Sequence, residues 1–464
     1  MNRITISEIV KAVDGTLLQT GKKEYIEGVK QDSRECEAGD LFVAVIGKNL
    51  DGHRYIEQAV KNGCSALMVS DCDFITDAVK SADVSIIKVE DTIYALGELA
   101  AYYLESLDVK RIAVTGSVGK TSVRDMIYYV LSEKYNCGRN IKNYNNLIGL
   151  PLSIFMFDSS LEAVVLEMGM DRFGEIDRLA EIVKPDIAVI TNIGMAHIEN
   201  LGSRQGIFQA KMEITEHIKE RNGKQGVLIF ADDGEFLTKE TTRGDYRQIS
   251  VGKDGKSDYI ISSVDDSGIE GIQFTLEHCR RNSRIRVPVP GIHNAVNSSI
   301  AIAAGGVLGV SPEEAQNGLN KVKLTGSRLK LIDGKSVRVI DDTYNASPDS
   351  MKSAVRVLAV SRCSGRKIAV LGDMLELGDE SERQHFGVGV FAANQDIDIL
   401  VAVGKDASEI ARGASEGKLN TVYFKEKDEF IREMGSIISS GDLILVKGSR
   451  GMRMEQIVEE LMNY

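Results

Sequence analysis

Residues 112–121, IAVTGSVGKT, constrain this chain more than any other segment. The apolar run Ile112-Ala113-Val114 predicts a short buried strand, and Gly116-Ser117-Val118-Gly119 a tight turn. Lys120 and Thr121 then open a helix, in which Val123, Met126, Ile127, Val130 and Leu131 recur at i, i+3, i+4, i+7 and i+8 on one face. Strand, glycine turn, Lys-Thr and helix together make a phosphate cradle. Backbone N–H groups and the helix N-terminus favour an anion, the lysine adds a mobile positive charge, and the threonine hydroxyl suits Mg²⁺. The usual spacing, G-x-x-x-x-G-K-[ST], places its first glycine at position 114, where this chain has Val114, so the cradle is a shortened form. Gly116, Ser117, Val118, Gly119, Lys120, Thr121 and Ser122 are candidate nucleotide-binding residues.

The 464 residues predict two to four domains at ~100–200 residues each. A net charge of −12 argues against a nucleic-acid-binding surface. Six scattered cysteines with no C-x-x-C pair suit a reducing compartment better than a disulfide or zinc framework. The first residues, MNRITISEIVKAV, mix charge with apolar residues, unlike a signal peptide. No apolar run approaches the ~18 residues needed to span a bilayer. The expectation is a cytoplasmic protein without membrane insertion.

Three α/β blocks are expected. Residues 1–90 hold short strands at 41–45, 66–69 and 85–89 and a helix at 55–61. Residues 91–310 open with a helix over 91–104, capped by Asp91 or Thr92, and continue as a mostly parallel sheet with helices on both faces. Its strands at 163–166 and 187–191 are near-continuous apolar runs, as strands buried on both faces are. Within this block, 223–289 reads as antiparallel strands with turn signals, and 293–304 as a small-residue helix suited to close packing. Residues 311–464 alternate strands (337–340, 367–371, 399–403, 422–424, 443–446) with helices, a second doubly wound, Rossmann-like domain.

Polar clusters follow several of these strands, where open α/β sheets carry function. Glu167 directly follows a buried strand and is either an Mg²⁺ ligand or a solvated strand-end acid. His197, in TNIGMAHIENLGS, reads equally as a metal ligand or a satisfied loop histidine. Lys211, in a helix, reads from its surroundings alone as a surface lysine. Asn143-Tyr144-Asn145-Asn146 are turn formers or substrate donors. Lys447-Gly448-Ser449-Arg450 is a flexible basic loop that invites an anion or carboxylate. In the first block only Gln31-Asp32-Ser33-Arg34 and Gly47-Lys48-Asn49-Leu50-Asp51-Gly52-His53 are densely polar.

Taken in order, TGSVGKTS, NYNNLIGLP, LEMGM, TNIGMAHIENLGS, AKMEI, GIHNAVN, DDTYNASPDSMK, LGDMLELGDESERQH and VKGSRGMRME resemble the Mur ligase family over essentially the whole chain. The last three segments resemble the member whose acceptor is a dipeptide, although Ser347 stands where those relatives often have asparagine. The resemblance implies an ATP-dependent amide ligase. It would add D-alanyl-D-alanine to a UDP-N-acetylmuramoyl-tripeptide through an acyl phosphate, in the last cytoplasmic step of peptidoglycan precursor synthesis, and work as a monomer.

By the same resemblance Lys120 meets the β/γ-phosphates, while Thr121, Glu167, His197 and a carbamylated Lys211 hold two Mg²⁺ ions. Asn294 and Asn297 lie on the adenine side, and Arg328, Asp342, Tyr344 and Asn345 reach the nucleotide or acceptor. Asn145 and Asn146 hold the muramoyl-peptide. Ser33, Arg34, Gly47, Asp51, Gly52 and His53 bind the UDP end, and Glu376, Lys447, Ser449 and Arg450 the dipeptide. The implied division is 1–90 for the UDP-substrate, 91–310 for ATP and 311–464 for the dipeptide. The alternatives are a sibling ligase adding the third residue, a folylpolyglutamate-synthetase-like ligase, or a P-loop protein that binds nucleotide without making amides.

Overall fold

The computed structural model describes residues 1–47, 49–141, 143–218, 220, 223–417 and 419–464, so Lys48 of the 47–53 loop lies outside the described residues. The chain packs as two compact units. Met1–Ala113, Tyr135–Ala188 and Glu213–Gly226 form the first, and Val114–Lys134, Val189–Met212 and Val227–Tyr464 the second. Strands Lys110–Thr115 and Ile187–Ile190 each begin in the first unit and end in the second.

In the first unit a five-stranded sheet runs in the order Thr16–Gln19, Ser85–Lys88, Ala66–Val69, Asp40–Val43, Gly28–Lys30. The pair at the Thr16–Gln19 edge is antiparallel and the others are parallel. Asp40–Val43 and Ala66–Val69 are buried throughout, so their apolar residues run on instead of alternating. Asp91 caps the helix Thr92–Ser106, its Oδ1 accepting from the N–H groups of Ile93 at 2.7 Å and Tyr94 at 3.0 Å. Leu96, Leu99, Ala100, Tyr103 and Leu104 are buried along that helix, as the 3.6-residue period requires. Strands Cys137–Arg139 and Ala163–Glu167 pair in parallel in the same unit.

In the second unit a six-stranded sheet runs in the order Lys330–Asp333, Arg338–Asp342, Leu443–Lys447, Lys367–Gly372, Ile399–Val403, Asn420–Phe424. Only the Lys330–Asp333 edge is antiparallel. The two-residue period of a strand divides its apolar residues between two cores. Ile340, Ala369, Leu371, Leu400, Ala402 and Leu445 share one with residues of helices Pro348–Val360, Ser381–Ala393 and Ala407–Ser415. Val339, Ile368, Val370, Val401, Ile444 and Val446 share the other with residues of Lys427–Ile437 and Glu455–Asn463. The doubly wound expectation therefore holds, and the loops after the parallel strands gather along one sheet edge.

The stretch 223–289 differs from its expectation. Val227–Ala231, Arg247–Gly252 and Tyr259–Asp266 pair in parallel; only Tyr259–Asp266, Ile272–His278 and Arg281–Val287 form an antiparallel meander. The turn signals at 232–234 and 253–255 open connections between parallel strands, so turn chemistry there marked a chain reversal but not a hairpin. The helix His293–Val307 packs closely on Lys120–Leu131: a Cβ on Gly305 would stand 2.6 Å from Val130 Cγ1. Among the described residues, no helix is long and apolar enough to cross a membrane.

Candidate active site

The turn 116–119 is built as the sequence predicts and is clamped by residues the sequence analysis did not single out. Gly116 has φ 146°, and a side chain there would collide with Thr191 Oγ1. Asn192 accepts the Val118 N–H on its Oδ1 at 3.0 Å, and its backbone carbonyl accepts the Ser117 N–H at 3.1 Å. Thr191 Oγ1 and Asn192 Nδ2 donate to the Val118 carbonyl at 2.6 and 2.8 Å. Two N–H groups of the turn thus serve to hold its shape. The helix Lys120–Leu131 starts directly after this turn, entered through Gly119 at φ 85°, and a helix N-terminus favours an anion. Lys120 Nζ lies over the turn, donating to the carbonyls of Gly116 at 2.7 Å and Ser117 at 3.2 Å.

Lys211 is not a surface lysine. It is 1% exposed, on the helix Arg204–Met212. Burial drives its amine well below the ordinary lysine value, and the charge of Lys120 pushes it further the same way. In the first unit Glu167 ends the strand Ala163–Glu167 and is buried, with Asn145 Nδ2 donating to its Oε1 at 2.8 Å. Asn140 brackets its backbone, accepting the Glu167 N–H at 3.0 Å and donating to its carbonyl at 3.1 Å. Asn146 is a turn former, its Oδ1 accepting from the N–H groups of Ile148 and Gly149 at 3.2 and 2.8 Å.

The loops of the C-terminal sheet meet this region within the second unit. His197 and Glu376 both take left-handed backbone, at φ 63° and 65°, and His197 Nδ1 lies 3.4 Å from Glu376 Oε2. Ser449 Oγ accepts the Leu375 N–H at 2.9 Å and ties the 373–378 loop to the 447–451 loop. Lys447 is buried against Asp342 at 2.7 Å and donates to the Asn345 carbonyl at 2.7 Å, so its ammonium organises the 342–345 loop. Burial raises the Asp342 carboxyl, against the opposing pull of Lys447. Arg450 is exposed, 3.5 Å from Glu455. Arg328 stacks 3.7 Å from the Tyr344 ring centroid.

Asn294 and Asn297 are buried and bonded to each other, Asn297 Nδ2 donating to Asn294 Oδ1 at 2.8 Å. A Cβ on Gly119 would stand 3.3 Å from Asn297 Oδ1, so this amide backs the phosphate turn. Beside them, His293 Nδ1 is buried without a hydrogen-bond partner among the described residues. Burial, with the Lys447 charge adding, pushes this imidazole from 6.5 down to about 4. The unfolded chain takes up the proton near 6.5 and the folded one only near 4, so stability should fall as pH drops through that window. Urea unfolding between these limits should show the fall, and His293→Gln should flatten it; an unchanged slope would contradict the assignment.

In the first unit His53 is a structural bracket. Its Nδ1 pairs with Asp51 Oδ1 at 2.7 Å, and its Nε2 accepts the Ser70 and Asp71 N–H groups at 3.0 and 3.2 Å. Ser33 is buried in a short turn, and Arg34 folds onto Asp32 at 2.6 Å, holding that carboxyl down to about 2. A cavity of ≈ 270 Å³ opens beside them, lined by Gly47, Asn49, Leu50, Asp51, Arg54 and Tyr55. Arg54 and Tyr55, on the turn Gly52–Tyr55, are not singled out in the sequence: Tyr55 reads as the first residue of the helix 55–61, and Arg54 falls between it and the polar set 47–53.

Comparison with known proteins decides the family. Residues 25–104 match the model "Mur ligase family, catalytic domain", 114–305 "Mur ligase middle domain" and 327–450 "Mur ligase, glutamate ligase domain". The UDP-N-acetylmuramoyl-tripeptide–D-alanyl-D-alanine ligase of Bacillus subtilis is 39% identical over 99% of both chains. The chain belongs to the Mur ligase family. A crystal structure of MurF from Acinetobacter baumannii covers 100% of this Mur ligase and 99% of its own chain, with a TM-score of 0.90 at 32% identity. MurF ligase from Thermotoga maritima, solved with ADP, matches at TM-score 0.81 and 29% identity over 94% of this chain and 97% of its own.

Proposed function

We propose that this Mur ligase uses ATP to join D-alanyl-D-alanine to the terminal carboxylate of UDP-N-acetylmuramoyl-tripeptide, the last cytoplasmic step of peptidoglycan precursor synthesis. The Bacillus subtilis relative carries that activity in its name, and the Thermotoga maritima structure holds ADP. The observation that carries the reading is the 3.4 Å approach of Glu376, from the dipeptide-type loop, to His197 beside the phosphate turn. This approach supports the reading of Glu376 as an acceptor for an incoming ammonium near the proposed metal ligand His197.

Activation is needed because oxide is a poor leaving group. A carboxylate oxygen of the tripeptide attacks the γ-phosphorus, the bond to the bridging oxygen breaks and ADP leaves. The dipeptide amine then attacks the acyl carbon, the C–O bond to phosphate breaks, and the amine proton passes to solvent. Lys120 and the N-terminus of its helix stabilise charge on the transferring phosphoryl group. Burial favours the neutral amine of Lys211, whose lone pair adds to CO₂ with loss of a proton, replacing an amine with an anionic oxygen donor. Thr121, Glu167, His197 and this carbamate would hold two Mg²⁺ ions. The hydroxyl, carboxylate and carbamate oxygens in this set are the donor type a hard cation such as Mg²⁺ takes; among the described residues no group of three or more His, Cys, Asp or Glu assembles. Bound there, the ions would neutralise phosphate charge.

The blocks divide this work: 1–90 holds the UDP end, with Arg54 and Tyr55 added at its cavity; 91–310 holds ATP; 311–464 holds the dipeptide. The enzyme works as a cytoplasmic monomer. Asn145 supports Glu167, and Asn146 shapes the turn beside the muramoyl-peptide. Arg450 anchors the dipeptide carboxylate, while Lys447 and Ser449 hold its loop in place. Charge-assisted hydrogen bonds of this kind contribute roughly 1.5–3 kcal/mol each, so Arg450→Ala should lower kcat/KM for the dipeptide ~10–100-fold. The test of the reading is phosphate release from ATP. It should require both UDP-N-acetylmuramoyl-tripeptide and D-alanyl-D-alanine. Release that ignores the dipeptide would make the protein a nucleotide hydrolase or switch.

A further inference from the structure

Two wholly buried charged side chains of the second unit have no part in the steps above. Arg124 and Asp125 follow Lys120 by four and five residues on the helix Lys120–Leu131, and neither is exposed. Arg124 Nε and Nη2 lie 2.9 and 2.6 Å from Asp125 Oδ1. Burying two charges costs desolvation that their attraction only partly offsets, so what else the pair holds is informative. It holds Thr325: Asp125 Oδ2 accepts the Thr325 N–H at 2.7 Å, and Arg124 Nη2 reaches Thr325 Oγ1 at 3.2 Å. An apolar pair of the same volume would fill the space but leave that N–H without its acceptor.

Thr325 lies in the stretch between the matched middle and glutamate ligase domains. From it the bonds run on. Arg328 Nη1 donates to the Thr325 carbonyl at 2.6 Å, and its guanidinium lies on the Tyr344 ring. The Tyr344 N–H donates to the Ser327 carbonyl at 3.2 Å, and the Leu329 N–H to Asp342 Oδ1 at 3.2 Å. Gly326 and Leu329 both take left-handed backbone, at φ 80° and 50°, so the path of this turn depends on such anchors.

We propose that Arg124 and Asp125 are positioning residues: by gripping Thr325 from the phosphate-loop helix, they set Arg328, and through it Tyr344, in place for the nucleotide. The proposal rests on the reading of Arg328 and Tyr344 as nucleotide-side residues of an ATP-dependent ligase. A double-mutant cycle on the full-length protein tests it, with Asp125→Asn, Arg328→Ala and the pair together. ADP affinity is measured by calorimetry, and kcat and KM for ATP by phosphate release. If Asp125 acts through Arg328, each single change should weaken ADP binding by about 10-fold, and the double no more than about 2-fold beyond Arg328→Ala, the signature of residues acting as one unit. Multiplicative losses, or a folded Asp125→Asn that binds ADP like the wild type, would overturn it. If Asp125→Asn does not fold, Thr325→Pro replaces it in the same cycle, since it keeps both buried charges and removes the two groups they hold, the N–H that Asp125 accepts and the hydroxyl that Arg124 reaches. A wild type that binds ADP but releases no dipeptide-dependent phosphate would defeat the ligase reading, while the ADP cycle would still decide the positioning claim.

Discussion

Lys120→Ala should lower kcat at least ~10²-fold while the protein stays folded, the scale set by removal of one preorganised electrostatic donor. The lysine opens its helix beyond the last clamped residue of the turn. Its ammonium touches the carbonyls of Gly116 and Ser117, and the turn is held independently by Thr191 and Asn192. Truncation therefore removes charge from the phosphate site and leaves the cradle standing. Circular dichroism and the unfolding midpoint should stay close to wild type, and the loss should appear in kcat more than in KM for the UDP-peptide. Near-wild-type turnover in a purified variant would show that the cradle is misassigned.

Lys211→Ala should be equally severe and, unlike Lys120→Ala, partly reversible. The two lysines stand close enough for the charge of Lys120 to depress Lys211, and Lys211 is also wholly desolvated. Burial and the Lys120 charge both favour the neutral amine of Lys211, the form that the proposed reaction with CO₂ needs. If the proposed carbamate forms, alanine removes its oxygen donor, and short carboxylic acids supplied at millimolar concentration should restore part of the turnover by filling the space. ¹³C-bicarbonate labelling should give a carbamate signal that the variant lacks. A normally active Lys211→Ala with no carbamate signal in the wild type would remove the second metal site from the account.

How far the molecule could be read in its sequence followed the range of the forces involved. The helix 120–131 and the capped helix after Asp91 are set by neighbours within a few residues, and they stand where the period and the caps put them. Strand partners are not local. The run 227–266 carries the same turn residues as a hairpin, yet its strands pair in parallel. Burial of a charge is not local either: QAKMEI looks like any exposed helix, and only the fold drives Lys211 inside. The clamp of Asn192 on Val118 spans 74 residues, and the grip of Asp125 on Thr325 spans 200. Lys447 was legible as a basic group at a strand end, but its commitment to Asp342 was not, because that pairing depends on two strands lying side by side.

In the proposed reaction the amine acceptor is a dipeptide. This is tested most directly by offering the enzyme ATP, Mg²⁺, UDP-N-acetylmuramoyl-tripeptide and an equimolar mixture of D-alanyl-D-alanine, D-alanine, L-lysine and diaminopimelate, then weighing the product by mass spectrometry. One major product is expected, heavier than the UDP-tripeptide by D-alanyl-D-alanine less one water. A product carrying a single amino acid, or no amide product from enzyme that binds the nucleotide, would contradict it.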